Sequence, residues 1–360
     1  MAWETKSPIR VAIVGVGNCT SALIQGMAYY RKFGADAPGL MNVDIGGYKV
    51  TDIVPVAAFD IDARRVGQDL SQAIFSGANI AYHYPGVDVP NCGVEVHMGP
   101  PMDGISAALS DFVEVADQPA ADVAQILKDS GAEMLLNFLP TASAQAARFY
   151  ADAAIKEAKI GFINGMPELI VCDPAYQKTA AENGVPLIGD DVKSQLGGTA
   201  IHRALLQLLR ARGIHVNRTY QVNYAGNTDF YNLVNRGQSK HKTKQEALET
   251  LVSSDSEIST GFSYVDFMGD RKTALFYIDA SNYGDAPLRF EAKLEVEDSA
   301  NFGGVMVDMI RYMKLALDRG TSGVLNAASA WLTKHPPVTI DDDSLAVQQL
   351  DEFVAGQRER

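Results

Sequence analysis

Short apolar runs alternate with helix-period segments through the first half of the chain. Residues 9–14 (IRVAIV) form a β-rich run that stops at Gly15-Val16-Gly17-Asn18-Cys19-Thr20, and residues 21–30 then carry amphipathic helical spacing. Strand, glycine turn and helix in that order open a doubly wound fold. A second strand is predicted at 53–59 (IVPVAAF), ending at Asp60. The intervening 31–51 is glycine-rich and longer than a usual crossover, and reads as an inserted loop or small hairpin. Helices are predicted at 120–130 and 143–158, with buried-type strands at 134–138, 160–163 and 186–188. Ligands of parallel sheets sit at the carboxyl ends of strands, and four of these ends carry Gly, Asp or Asn.

The pattern changes near residue 215. Segments 216–224, 275–280 and 288–296 alternate polar and apolar residues, as antiparallel strands do when one face is wet or covered by a partner subunit. Helices return at 301–318, 325–333 and 344–355, the last after three aspartates that suit a helix N-terminus. The tail is expected to pack back on the first domain.

Composition narrows the function classes. A 360-residue chain that is 47% hydrophobic and 21% charged is globular, with length for two domains. Lys+Arg 31 against Asp+Glu 44 gives a net charge of −13, which disfavours nucleic acid and anionic membrane as partners. No charge-free window of about 18 apolar residues suggests a membrane span, and the N-terminus lacks the apolar run of a signal peptide. Cys19, Cys92 and Cys172 build no disulfide framework, so a reducing cytoplasm is expected. The six histidines show no metal-ligand spacing, and His202 reads as a core residue.

The chemistry lies in a few short segments. Gly15 and Gly17, directly after a strand, allow a tight turn and close approach of backbone to a pyrophosphate. Thr20 replaces the third glycine of that fingerprint. Asp60 is placed to bond adenosine-ribose hydroxyls and to repel a phosphate there, favouring NAD over NADP, although Arg64 and Arg65 soften the preference. A glycine turn in a non-nucleotide protein is the competing reading, and Cys19 within the turn reads as a packing residue. Lys240 and Lys244 are four apart and share a face if helical, within reach of one anion; a solvated basic loop is the alternative. Asp190 and Asp191 suit a cation, a lysine or a helix cap. Asp298 precedes a predicted helix and reads equally as its cap. Lys272 and Lys334 carry no signal by themselves.

In order, these segments resemble the bacterial and archaeal myo-inositol-1-phosphate synthase (inositol-3-phosphate synthase) family. The resemblance spans essentially the whole chain. It rests on VAIVGVGNC at 11–19, VAAFDIDARRVG at 56–67, GDDVKSQLGGT at 189–199, YAGNTDFYNL at 224–233 and the lysine spacing at 239–244. DRK at 270–272, KLEVEDSANFGGVMVD at 293–308 and WLTKHPP at 331–337 complete it.

The resemblance implies an α/β fold with a Rossmann-like NAD domain (1–198), a smaller central α+β catalytic and oligomerisation domain (199–300), and a segment (301–360) returning to the first domain. It implies a homotetramer acting on a sugar phosphate. Glucose 6-phosphate would be oxidised at C5 by NAD, enolised, closed by aldol attack on C1 and re-reduced to 1D-myo-inositol 3-phosphate. Its catalytic residues fall on Lys240, Lys244, Lys272, Lys334, Asp191 and Asp298. Lys272 and Lys334 would serve the C5 oxygen, Lys240 and Lys244 the phosphate or C1 oxygen, and Asp191 a lysine or a cation. Cofactor contacts fall on Gly15, Gly17, Asn18, Cys19, Asp60 and Asp191, with Lys193, Asn227 and Asp229 as pocket members. The family often uses a cation, whose identity this sequence does not select. Met166 and Glu168 stand where relatives place a phosphate-contacting loop. That departure keeps open a paralogue cyclising fructose 6-phosphate. An NAD-dependent sugar-phosphate dehydrogenase and a catalytically silent scaffold compete with both of these readings.

Overall fold

The run that opens the chain becomes β1 (Ile9–Val14), buried except at Arg10, and the glycine turn leads into α1 (Asn18–Phe33). The computed structural model describes residues 3–103, 105, 109–236, 251–340 and 342–360. After α1 come β2 (Ile53–Asp60), α2 (Leu70–Ala73), β3 (Val96–Met98), α3 (Val123–Asp129), β4 (Met134–Asn137) and α4 (Ala144–Asp152). Then follow β5 (Gly161–Asn164), α5 (Pro174–Asn183), β6 (Pro186–Ile188), α6 (Gly198–Ala211), β7 (His215–Ala225) and α7 (Thr228–Arg236). The remainder is β8 (Glu257–Tyr264), β9 (Arg271–Ser281), β10 (Pro287–Glu297), α8 (Asp298–Asp318), β11 (Gly323–Val324), α9 (Asn326–Leu332) and α10 (Asp343–Val354).

Seven strands form a parallel sheet in the order β11-β6-β5-β4-β1-β2-β3. Its central strands read as continuous apolar runs because helices cover both faces. The order reverses between β1 and its neighbours β4 and β2, the topological switch where such sheets bind ligands. α8 packs on α1, where Gly303 lets the two backbones approach closely.

The glycine-rich 31–51 segment contains a small hairpin, in which Ile45 pairs with Tyr48 across Gly46 and Gly47. It is tied to α8 by Arg311. That guanidinium is fully buried, pairs with Asp308, and donates to the carbonyls of Asn42 (2.8 Å) and Val43 (3.2 Å).

The second sheet bears out the antiparallel reading of the three alternating segments and adds a fourth strand, β8, that the alternation did not predict. Its order is β10-β9-β7-β8; β9 is antiparallel to β10 and β7, but β8 is parallel to β7. The chain between β7 and β8 is long enough for the crossover that a parallel pair needs, and α7 lies within it. The alternation of β7 is also inverted. Thr219, Gln221 and Asn223 are buried, whereas Tyr220 points outward and stacks on Tyr277 at 5.3 Å. The buried polar face is satisfied in part: Thr219 Oγ1 donates to the Tyr277 carbonyl at 2.7 Å and lies 2.7 Å from His202 Nε2, and Gln221 Nε2 donates to Asn223 Oδ1 at 3.0 Å, whereas Asn223 Nδ2 has no hydrogen-bond partner among the described residues. Burial pushes the His202 imidazole down to about 4, so it is a neutral core residue, as expected.

Candidate active site

One cavity runs from the glycine turn at the end of β1 to the inner face of the second sheet. At the turn, Gly15 has φ +89°, and a Cβ there would lie 2.5 Å from the Phe138 carbonyl oxygen. Thr20, in place of the third glycine, donates its hydroxyl to the Gly15 carbonyl at 2.6 Å and so braces the turn. α1 begins behind Gly17 with no acid in its first turn, leaving its positive end open to an anion. Gly15→Ala is therefore expected to cost about 1–3 kcal/mol of stability and to weaken dinucleotide binding sharply; thermal melting and cofactor titration check this.

Asp60 has a more structural task than its sequence position suggested. Its Oδ2 accepts from Val16 N (2.6 Å) and Arg65 Nη1 (3.2 Å), and its Oδ1 from Ile61 N (2.7 Å) and Asp62 N (2.9 Å). Those four donors fill the acceptor capacity of a carboxylate. A ribose hydroxyl would have to share one of them.

The far wall carries two lysine–aspartate pairs. Lys272 sits on the inner register of β9 with Ala274 and Phe276, and its Nζ lies 2.6 Å from Oδ1 of Asp298. Asp298 is the first residue of α8, not its cap; its carboxylate faces a lysine 26 residues earlier. The second pair comes from a short antiparallel bridge between Val192 and Thr333. Backbone bonds between Asp190, Asp191, Lys334 and His335 extend it, and Lys334 Nζ meets Asp191 Oδ1 at 2.6 Å. The two ammonium-bearing side chains are 15% and 13% exposed. Asp191 has φ +59°, an uncommon setting for a non-glycine residue, and its buried Oδ2 has no hydrogen-bond partner.

Other polar groups line the same space. The N-terminus of α6, with Gly198 and Thr199 and no first-turn acid, opens onto it. A Cβ at Gly198 would collide with the Gln221 side chain, which explains the glycine. Lys193 donates to the Ala330 carbonyl at 2.9 Å, and burial pushes its ammonium down to about 8 against the opposing pull of Asp343.

Residues 197–299 match the family model described as myo-inositol-1-phosphate synthase. The inositol-3-phosphate synthase of Mycolicibacterium smegmatis is 43% identical, across 98% of this chain and 99% of that protein. The chain belongs to the myo-inositol-1-phosphate synthase family. The inositol-3-phosphate synthase of Corynebacterium glutamicum is 41% identical, across 97% of this chain and 98% of its own. The solved structure of Ari2 matches with a TM-score of 0.79 at 36% identity, covering 97% of this chain and 99% of that one.

In this synthase-family chain, Gly15, Gly17, Asn18, Cys19, Asp60 and Asp191 share one cavity with Lys272, Lys334 and Asp298. Lys240 and Lys244 lie outside the described residues. Of the pocket members named from the sequence, Lys193, Asn227 and Asp229 all line it, and Asp229 accepts from Thr141 Oγ1 at 3.0 Å. Met166 lines the cavity; Glu168 does not, and its carbonyl accepts from Asn164. Sequence reasoning missed Ser299 and Thr199, whose only local signals were small polar residues at predicted helix starts. Among the described residues, no group of three or more His, Cys, Asp or Glu could hold a metal, and no helix is long and apolar enough to cross a membrane.

Proposed function

We propose that this family member converts D-glucose 6-phosphate to 1D-myo-inositol 3-phosphate, as an NAD-dependent isomerase with no net redox change. The observation that carries the reading is the single cavity joining the Gly15–Gly17 turn to both lysine–aspartate pairs. NAD fits the residues present: Gly15 leaves space no side chain could share, and α1 presents an uncompensated N-terminus. Arg64 is engaged by Asp62, and Arg65 by Asp60 and Asn79, so neither guanidinium is poised for a 2′-phosphate and NAD is favoured. When bound, NAD supplies reversible hydride transfer.

The chain's own residues then manage charge and protons. Negative charge builds on the C5 oxygen as its hydroxyl loses a proton, and Lys272 and Lys334 supply ammonium donors in a site with little water. Asp298 and Asp191 hold those ammonium groups in place, so little reorganisation is needed as charge develops. Lys240 and Lys244 are assigned to the phosphate or C1 oxygen by the family resemblance alone. A resident cation would find one unpartnered oxygen on Asp191 and no protein-built cluster among the described residues. That donor set does not fit a protein-held metal.

We also assign a nucleotide-binding body from 1–198 and 301–360, a catalytic and oligomerisation domain from 199–300, and a homotetramer. β11 beside β6 supports the returning segment, and the outward Tyr220–Tyr277 stack supports a subunit contact on the second sheet. Three free cysteines suit a reducing cytoplasm.

The test is incubation of purified protein with NAD and glucose 6-phosphate, followed by phosphorus NMR. An inositol phosphate without net NADH is expected. Stoichiometric NADH would identify a dehydrogenase, and turnover of fructose 6-phosphate alone would identify a paralogue.

A further inference from the structure

Asp270 stands two residues before Lys272, is 3% exposed, and does not line the cavity. Its bonds converge on the start of α8. The backbone carbonyl accepts from Asp298 N at 3.0 Å, Oδ2 accepts from Ser299 N at 3.1 Å, and Oδ1 accepts from Ser299 Oγ at 2.9 Å. The residue in the N-cap position of α8, Glu297, makes no side-chain capping bond. Asp270 performs that office from the turn just ahead of β9.

The same carboxylate reaches a second helix. Its Oδ1 also accepts from Asn227 Nδ2 at 3.0 Å, while Asn227 Oδ1 accepts from Phe230 N at 3.1 Å and so caps the first turn of α7. Phe230 lies under the Lys272 ammonium, with Nζ 5.8 Å from the ring centroid. One buried side chain thereby joins the strand bearing Lys272, the helix bearing Asp298 and the helix whose ring lies against Lys272.

We propose that Asp270 is a positioning residue for the reaction, fixing the Lys272–Asp298 pair at the cavity wall by capping α8 from outside and tying it to the cap of α7. The proposal rests on the functional reading above, because positioning has meaning only if Lys272 meets a developing oxyanion. The mechanical reason is register. Asp298 can face Lys272 only if the first turn of α8 stays seated against the start of β9, and a displacement of about 1 Å at such a contact is enough to lower a rate about 10²-fold.

Among the described residues, the charged and titratable groups near Asp270 include Lys272 two residues along the chain, Asp298 on α8 and the Tyr84 phenol. Burial, and then the neighbouring charge of Asp298, push the Asp270 carboxyl up to about 7, against its three hydrogen-bond donors. The positioning bond network consequently changes charge near neutrality.

Asp270→Asn keeps the shape but sets an amide against groups that require an acceptor. Ser299→Ala removes one hydroxyl bond and leaves the backbone bonds in place. Both variants and the wild type are assayed, across pH, on whichever of glucose 6-phosphate and fructose 6-phosphate the wild type consumes. The expected result for Asp270→Asn is a kcat lower by about 10–100-fold with KM little changed, and loss of a kcat inflection near pH 7. Ser299→Ala is expected to show a smaller fall in kcat of the same kind. Wild-type kcat and pH profile in Asp270→Asn would overturn the proposal. If Asp270→Asn does not fold, an unaltered kcat in Ser299→Ala overturns it instead. A wild type inert toward both sugars fails the functional reading itself, which distinguishes the two failures.

Discussion

Replacing Lys272 by alanine is expected to lower kcat by about 10²–10³-fold while leaving cofactor binding and thermal stability close to wild type. The rate loss follows from geometry: among the described residues, Lys272 and Lys334 are the cavity-wall ammonium groups held at 2.6 Å by a carboxylate. The stability argument concerns what stays behind. Asp298 loses its partner but keeps its place in the first turn of α8, where a negative charge is favourable. Lys272→Arg is not expected to restore activity, because a planar guanidinium cannot reproduce a compact point charge. Steady-state kinetics, with cofactor titration and a melting curve on the same preparation, check all three statements. Normal turnover in Lys272→Ala would remove this lysine from the mechanism.

Arg311→Met is expected to destabilise the protein by about 3–5 kcal/mol, the usual range for breaking a buried ion pair from one side. Asp308 and Arg311 are both fully buried, and the guanidinium also serves the carbonyls of Asn42 and Val43. Burial already pushes the Asp308 carboxyl above its ordinary value, against the pull of Arg311 and Asn42. Without the arginine that upward push grows. A carboxyl raised in the folded state binds its proton more tightly there than in the unfolded chain. Its contribution to stability is thus present at low pH and lost as pH rises through the folded value. The cost of Arg311→Met should accordingly shrink as pH falls from neutrality toward the unfolded aspartate value. The double variant Asp308→Leu with Arg311→Met should recover only part of the loss, since the carbonyls of the hairpin remain unserved. Denaturant melts of wild type, single and double variants over that pH range measure each part.

Much of the parallel-sheet half was legible because its signals are local. The apolar run at 9–14, the turn at Gly15 and Gly17, and the acid at the end of β2 are each fixed by neighbours along the chain, and each appears where periodicity placed it. The second sheet was less legible. The alternation in β7 marked a strand but not which face was inside, and the buried face is the polar one, carrying Thr219, Gln221 and Asn223. Nothing within β7 shows that α6 and β9 supply hydrogen bonds to that face. Nor did the run reveal a parallel partner, because β8 returns only after a long crossover.

The sequence by itself determined the alternating strands and helices from β1 to β6 in outline, the glycine turn after β1 and the family to which the motifs belong. Only the tertiary structure decided the pairing of ammonium and carboxylate groups: Lys334 with Asp191, 143 residues apart, and Lys272 with Asp298. It also decided that Asp270, which looked like a neighbour of a lysine, caps a helix on the far side of the same wall. The physical reason is range. Propensity, periodicity and turn chemistry act over a few residues, whereas a charge pair depends on how distant segments are packed, and no local pattern encodes that packing.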